Sequence, residues 1–533
     1  MPTNPSTLGN DQSIKLSVTV KSRLEGKYKK NPDALKKIKA AIKHWKKKDD
    51  ERGIYTVHVA VDDPDEMKDW DVPPVSGEAT AEKIKQAIDR LWKKITPTPD
   101  YLVLFGGHDI VPMFEVSNPT DLWKQDDDKT VLTDNPYASS KPFSSDQKSY
   151  LVPERVIGRI PDMLGDPDPG WFVDYLKTAS KWKSRDRSTY KRPYAICTAE
   201  ANDAGVDCIQ QAFASRTLPL FTCPPTSDIS SPARDRLSKR LHVIKCHGNP
   251  DDPAFWGYRL TNEDMPAITS ATLKLRLKPA TVVATMCCYG AQIFSPKDDD
   301  TWPLASTYLR KGALGFVGST KKAWVGLEDM SGADWIVSDY LRRVLEGASI
   351  GRAFLESKQD NPGYHYTRGQ VIGVQEEKTL IEYVLLGDPS IHPVSSVPDY
   401  ANSLAFQERR QRRAARAMVA AGIRQLLPTR SDATDDDKGM APQVFASDLV
   451  QNAIKNLNDF SMERTAVQVQ RVETRLPDSP ATVTDPGTVK RRQSLEYYWR
   501  GLRDRGYHKQ LCLLKVETDP QGKPWRTSVM YTS

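Results

Sequence analysis

The sequence has no uninterrupted run of about 18 apolar residues, the length that a membrane-crossing helix needs, so no membrane span is expected. Its first residues, MPTNPSTLGNDQSIKLSV, lack a basic segment followed by an apolar one, so no secretory signal is expected either. Cysteine is scarce: seven among 533 residues, an odd number without a CxxC pair. That argues against a disulfide framework, a zinc ribbon or a thioredoxin-type motif, and it fits a cytoplasmic location. No HExxH or paired-histidine spacing occurs, so a metal-dependent hydrolase has no support, and neither a metal nor a cofactor is called for. Internal repeats and low-complexity tracts are missing too. The net charge of +7 is a mild excess over this length and does not imply direct nucleic-acid binding.

What is present is an ordinary soluble composition, 38% hydrophobic and 27% charged. The length suggests roughly three or four domain-sized units. Apolar residues recur at helical spacing in 34–48 (Leu35, Ile38, Ile42, Trp45) and in 79–95 (Ile84, Ile88, Leu91, Trp92, Ile95). Strands are expected at Tyr55–Val61, Tyr101–Phe105, Arg192–Cys197, His242–Cys246, Val282–Met286 and Leu314–Val317. Between and after them, helices are expected over 203–215, 262–277, 303–311, 332–346 and 349–358. This alternation predicts an α/β fold, a mainly parallel sheet with helices on both faces. We divide the chain into an N-terminal α/β subdomain (15–185), a catalytic α/β subdomain (186–396) and a C-terminal accessory α+β region (397–533). In the last we expect an Arg/Ala-rich helix over 402–427, a polar linker over 428–445 and a helix near 493–504. A hairpin of Leu511–Val516 and Trp525–Tyr531 should turn at DPQGK (519–523).

Two of these strands end in reactive residues. One runs Val243-Ile244-Lys245-Cys246-His247-Gly248, the other Val282-Val283-Ala284-Thr285-Met286-Cys287-Cys288-Tyr289-Gly290. His247 and Cys287 stand 40 positions apart, about one strand–helix–strand crossover. Neighbouring parallel strands would bring both to one sheet edge, where α/β folds bind ligands. An imidazole beside a thiol promotes the thiolate nucleophile and can protonate a leaving amine. The N–H groups of Gly248 and Cys287 are candidates for an oxyanion hole. Cys288 is the alternative nucleophile. Taken singly, a histidine after a strand is commonly structural, and a cysteine at a strand end commonly packs as a small hydrophobe.

Strand–His–Gly followed by strand–Cys–x–x–Gly resembles the caspase-like superfamily of caspases, legumain, separase, clostripain, CHAT proteases and gingipains. Longer stretches resemble gingipains: YLVLFGGHDIVP (101–112), TDNPYA (133–138), ERVIGRIP (154–161), GALGFVGSTKKAW (312–324) and VLLGDPSIHP (384–393). Two departures stand out: the usual GHG is CHG here, and CxNG is CCYG.

The resemblance implies a cysteine endopeptidase acting on protein or peptide substrates, with His247 and Cys287 as its dyad and the N-terminal subdomain on the substrate side. It also implies cleavage after Arg or Lys, with Glu154, Asp146 or Asp134 receiving the substrate cation, and Thr320 and Trp324 lining the pocket wall. Each acid has an ordinary surface or capping role as its alternative, and Trp324 has core packing. A regulatory protein partner, reached through the C-terminal region in a bacterial defence or signalling setting, is a further expectation. A catalytically silent relative that serves as an interaction module is the rival reading. The clusters Asp126–Asp128 and Asp298–Asp300 are weighed for calcium and read as solvated loops. The basic run Arg409, Arg410, Arg412, Arg413 and Arg416 is read as a solvated helix face.

Overall fold

The computed structural model describes residues 12–120, 128–225, 236–258, 264–367, 372–395, 416–421, 423–424, 426–455, 457, 460–477, 489–504 and 509–532. The N-terminal part supplies β1 (Ser13–Thr19), β2 (Ile54–Ala60), β3 (Tyr101–Phe105), β4 (Phe114–Ser117), β5 (Thr130–Thr133) and β6 (Val156–Ile160). The middle part, expected to be catalytic, supplies β7 (Tyr194–Thr198), β8 (Leu220–Cys223), β9 (Leu241–Lys245), β10 (His247–Gly248) and β11 (Ala254–Tyr258). It continues with β12 (Asp264–Thr269), β13 (Thr281–Thr285), β14 (Ala313–Ser319), β15 (Trp324–Val325) and β16 (Tyr383–Gly387). The C-terminal region holds β17 (Thr429–Asp432), β18 (Ser461–Pro477), β19 (Val489–Asp504), β20 (Lys509–Thr518) and β21 (Pro524–Thr532).

Ten strands form one central sheet in the order β2-β1-β3-β6-β16-β14-β13-β9-β7-β8. Every neighbouring pair is parallel except β14 with β16. Two parallel halves of opposite direction therefore meet at that seam, and the mainly parallel α/β fold read from the sequence is the fold found. β9 and β13 are buried at every position, as strands covered by helices on both faces must be. The amphipathic helix Pro32–Asp50 buries Ile38, Ile42 and Trp45 and starts on Asn31, whose side chain accepts from the Ala34 N–H at 3.1 Å.

The gingipain-like motifs do structural work. Arg159 of ERVIGRIP is fully buried. It grips both oxygens of Asp134 in TDNPYA and donates to the carbonyls of Gly106 (2.8 Å) and Val111 (2.6 Å) in YLVLFGGHDIVP. Asp388 of VLLGDPSIHP accepts from Lys15 Nζ at 2.6 Å, Trp45 Nε1 at 2.9 Å and the Ser390 hydroxyl at 2.7 Å. Gly158 lets β6 pass against β16, since a Cβ there would sit 2.5 Å from the Gly387 carbonyl oxygen.

The C-terminal region forms a six-stranded antiparallel sheet in the order β15-β21-β20-β19-β18-β17, so one strand comes from the middle part. Both its faces are apolar. Leu495, Tyr497, Trp499, Leu514 and Val516 share one core, while Tyr498, Leu511, Leu513 and Met530 pack with Trp324 and Val374. Burial on both faces makes Tyr497, Tyr498 and Trp499 apolar at consecutive positions, which masks the period of two; residues 493–504 belong to strand β19, not a helix. The expected linker 428–445 holds β17 and the short helices Asp435–Gly439 and Ala441–Phe445. Of the stretch 262–277, where helical turns are expected, Asp264–Thr269 is strand β12 and Ser270–Arg276 is a helix. The hairpin at DPQGK is present, with the Asp519 N–H donating to the Lys523 carbonyl at 3.1 Å. Of the helix read over 402–427, residues 402–415 lie outside the described residues, and 416–421 are helical.

Candidate active site

Three neighbouring parallel strands, β13, β9 and β7, carry the candidate residues just past their C-terminal ends. The chain leaves β7 for β8 on one side and returns to β9 on the other, so strand order reverses between β7 and β9. At such a switch point the flanking loops part and leave a crevice. His247 follows β9 across Cys246, Cys287 follows β13 across Met286, and Glu200 sits on the single turn Ala199–Ala201 that follows β7.

His247 is 1% exposed, and its Nε2 lies 2.8 Å from Glu200 Oε1. Its ring stacks on Tyr258 of β11 at 4.3 Å between centroids and 29° between planes. Tyr258 is fixed in turn: its N–H donates to the Thr198 hydroxyl at 2.9 Å, and that hydroxyl donates to the Tyr258 carbonyl at 3.1 Å. Glu200 escaped the sequence reading. Its only signal is that it is the first acid after the strand that ends at Thr198.

The two cysteines face opposite neighbours. Cys287 Sγ accepts from the Cys246 N–H at 3.3 Å and donates to the Ile244 carbonyl at 3.7 Å, so it lies on the β9 side. Cys288 Sγ accepts from the Ala323 N–H at 3.2 Å and donates to the Ala323 carbonyl at 3.7 Å, on the β14 side. Both are buried, and burial pushes the Cys287 thiol well above its ordinary range. Gly248 pairs with Phe255 in the register of β10 with β11, and its α-carbon lies against the Cys288 carbonyl. Tyr289 takes the left-handed conformation (φ 55°), and its N–H donates to the Lys321 carbonyl at 2.8 Å.

The candidate pocket residues have other partners. Glu154 pairs with Arg424 Nη2 at 2.5 Å and accepts from the Ser140 N–H at 2.7 Å. Asp146 caps a short turn by accepting from the Lys148 N–H at 3.0 Å. Asp134 is held by Arg159. Thr320 donates to the Leu132 carbonyl at 2.7 Å, and Trp324 is fully buried in a core of the C-terminal sheet. Asp128 lies beside the cysteine loop, accepting from the Tyr289 hydroxyl at 3.0 Å and the Lys322 N–H at 2.9 Å. Asp298 caps the turn Asp299–Thr301. Asp126, Asp127, Arg409, Arg410, Arg412 and Arg413 lie outside the described residues. Among the described residues, no group of three or more His, Cys, Asp or Glu side chains could hold a metal, and no helix is long and apolar enough to cross a membrane.

Residues 32–162 match the family model of Peptidase family C25. No curated protein matches the sequence. Among solved structures, the chain is similar to one described as "Structure of Protease", at 13% identity over 72% of this chain and 78% of that one, with a TM-score of 0.47. It is also similar to the Arg specific cysteine proteinase gingipain R (RGPB), at 12% identity over 98% of this chain and 97% of that one, with a TM-score of 0.47. A third is the complex of Porphyromonas gingivalis RgpB pro- and mature domains, at 12% identity over 97% of this chain and 99% of that one, with a TM-score of 0.47. The family match spans the helix Pro32–Asp50 through β6 and includes the Arg159–Asp134 scaffold. That stretch of the chain is thus similar to Peptidase family C25, the family of the gingipain cysteine peptidases.

Proposed function

We propose that the chain is a cysteine endopeptidase in which Cys287 is the nucleophile and His247 its general acid and base. The observation that carries this reading is the seat of Cys287 Sγ against the Cys246 N–H, immediately before His247. Cys288 points its sulfur to the opposite neighbour. Burial favours the Cys287 thiol over the thiolate, so the proton leaves as substrate arrives and a base stands ready. Glu200 holds the imidazole and stabilises its charged form. The sulfur attacks the scissile carbonyl, N–H groups of the Gly248 and Cys287 segments receive the oxyanion, and His247 protonates the leaving amine. Water then releases the acyl group.

Cleavage after Arg or Lys belongs to this reading through the resemblance to gingipains. Glu154, Asp146 and Asp134 remain the candidates, and for Glu154 and Asp134 a substrate cation would have to displace Arg424 or Arg159. A cytoplasmic site of action and control through the C-terminal region complete the proposal. A second reading, a catalytically silent binding module, is favoured by the complete burial of Cys287. Labelling with a peptidyl acyloxymethyl ketone separates the two: a covalent adduct on Cys287 supports the enzyme, and an unlabelled Cys287 supports the silent module. A fluorogenic panel varying only the residue before the cut bond tests specificity. Preference for Asp, Asn or Leu would remove the basic pocket and leave the dyad standing.

A further inference from the structure

Glu200 is a junction between the catalytic sheet and the C-terminal sheet. Its Oε1 meets His247 Nε2 at 2.8 Å and accepts from Gln510 Nε2 at 3.2 Å. Its Oε2 accepts from Arg503 Nη2. Arg503 and Gln510 are direct partners in the register of β19 with β20, and their side chains bond to each other. The guanidinium also lies over the Phe460 ring at 4.6 Å from its centre. These groups are almost closed to solvent: the Glu200 and Arg503 side chains are 1% and 7% exposed, and Gln510 is 0% exposed. An ion pair so placed is screened little, so its charges act on their neighbours.

We propose that Arg503, braced by Gln510, is a positioning residue for the peptidase reaction: it fixes Glu200 and tempers that carboxylate's hold on His247. This rests on the dyad reading above. A buried carboxylate facing only an imidazole draws a proton onto the ring and keeps it there. A cation on the carboxylate's other oxygen opposes that pull and leaves the imidazole able to take and return a proton. Other charged or titratable groups near this set are Tyr258 on β11, Lys245 on β9 with its partner Asp334 at 2.5 Å, Tyr531 near Arg503 and Glu200, and Glu328 near Tyr531. Arg503 joins Glu200 from the C-terminal sheet as a cation. That sheet is also tied to the segment after the cysteine loop, through β15 paired with β21. The C-terminal region is thereby a component of the active centre.

The test uses the full chain with ring-labelled histidine, the His247 signal being assigned through His247→Asn. In Arg503→Met, the His247 titration midpoint should move upward, because a cation is lost, kcat should fall about tenfold or more, and KM should hold. Arg503→Lys should restore the midpoint, because it restores the charge. Arg503→Gln, which keeps a hydrogen-bonding group and removes only the charge, reads the same shift if the methionine variant does not fold. A His247 midpoint unmoved in folded Arg503→Met or Arg503→Gln protein overturns the proposal. A midpoint that moves while Cys287→Ala still cleaves peptide upholds the Arg503–Glu200–His247 linkage and removes the dyad instead.

Discussion

Gly248 and Cys288 touch backbone to backbone: a Cβ on Gly248 would lie 1.9 Å from the Cys288 carbonyl oxygen. The histidine strand and the cysteine loop are thus set against each other at a distance that only glycine permits. We predict that Gly248→Ala lowers kcat/KM by a factor on the order of 10² while costing about 1–3 kcal/mol of stability. Gly439→Ala, where nothing lies within 4 Å of the added carbon, is the matched control and should be silent. Equal activity of the two variants would show that the close approach has no part in catalysis.

Cys287→Ala should abolish peptide cleavage in a folded protein. His247→Ala should lower the rate by a factor on the order of 10² or more. Cys288→Ala should retain most activity, because its sulfur faces Ala323 and not the histidine strand. Activity that survives in Cys287→Ala and disappears in Cys288→Ala would reverse the assignment.

Asp388 belongs to a buried ion cluster that ties the end of β16 to β1. It shares the fully buried Lys15 ammonium with Asp49, at 2.6 and 2.7 Å. Asp388→Ala leaves Trp45 Nε1 and Ser390 without this acceptor and Lys15 with only one carboxylate. Removing one member of a buried ion cluster costs about 3–5 kcal/mol, read as a lower urea midpoint. A change below about 0.5 kcal/mol would mean that the cluster contributes nothing.

Lys358 supplies a pH dependence. Burial lowers its ammonium to about 7, and its Nζ donates to Asn135 Oδ1 and the Tyr383 carbonyl, both at 2.7 Å. An unfolded lysine titrates near 10.4. Between about 7 and about 10.4 the unfolded chain holds a proton that the folded chain has released, so stability rises with pH across that window. The slope is at most about 1.4 kcal/mol per pH unit for this one proton. Lys358→Met should flatten the rise between pH 7 and 9.5 in urea titrations. Parallel curves for the two proteins would show that Lys358 is charged in the fold.

The sequence was most readable where one physical signal dominated. Continuous apolar strands such as VVATM, closed by His-Gly or Cys-x-x-Gly, put His247 and Cys287 after neighbouring parallel strands at one sheet edge. Strand β1 was missed because SIKLSVT carries Lys15, and only Asp49 and Asp388, distant in the chain, make that lysine a core residue. The same limit hid the partners of the acids. Glu154 looks free beside Arg155, yet its partner is Arg424. Glu200 is one acid among many until β7 is placed next to β9. Strand β19 misled because Tyr497 and Trp499 are buried on one face and Tyr498 on the other, which removes the alternation that would have marked it.

The position of β16 has a consequence for how the molecule is made. Residues 383–387 form the strand that joins two halves built from earlier sequence, pairing with β6 on one side and β14 on the other. During synthesis both halves emerge before the piece that unites them. A ribosome-bound chain that stops short of Tyr383 would have His247 and Cys287 already outside the tunnel but no seam to hold the sheet together, and neither Arg503 nor Gln510 to brace Glu200. On the proposed dyad, competence would then wait for strands that follow Tyr383 in the chain. Arrested chains of increasing length, probed with the covalent peptidyl ketone, should label only once the C-terminal strands are exposed; labelling of chains ending before Tyr383 would dismiss this account.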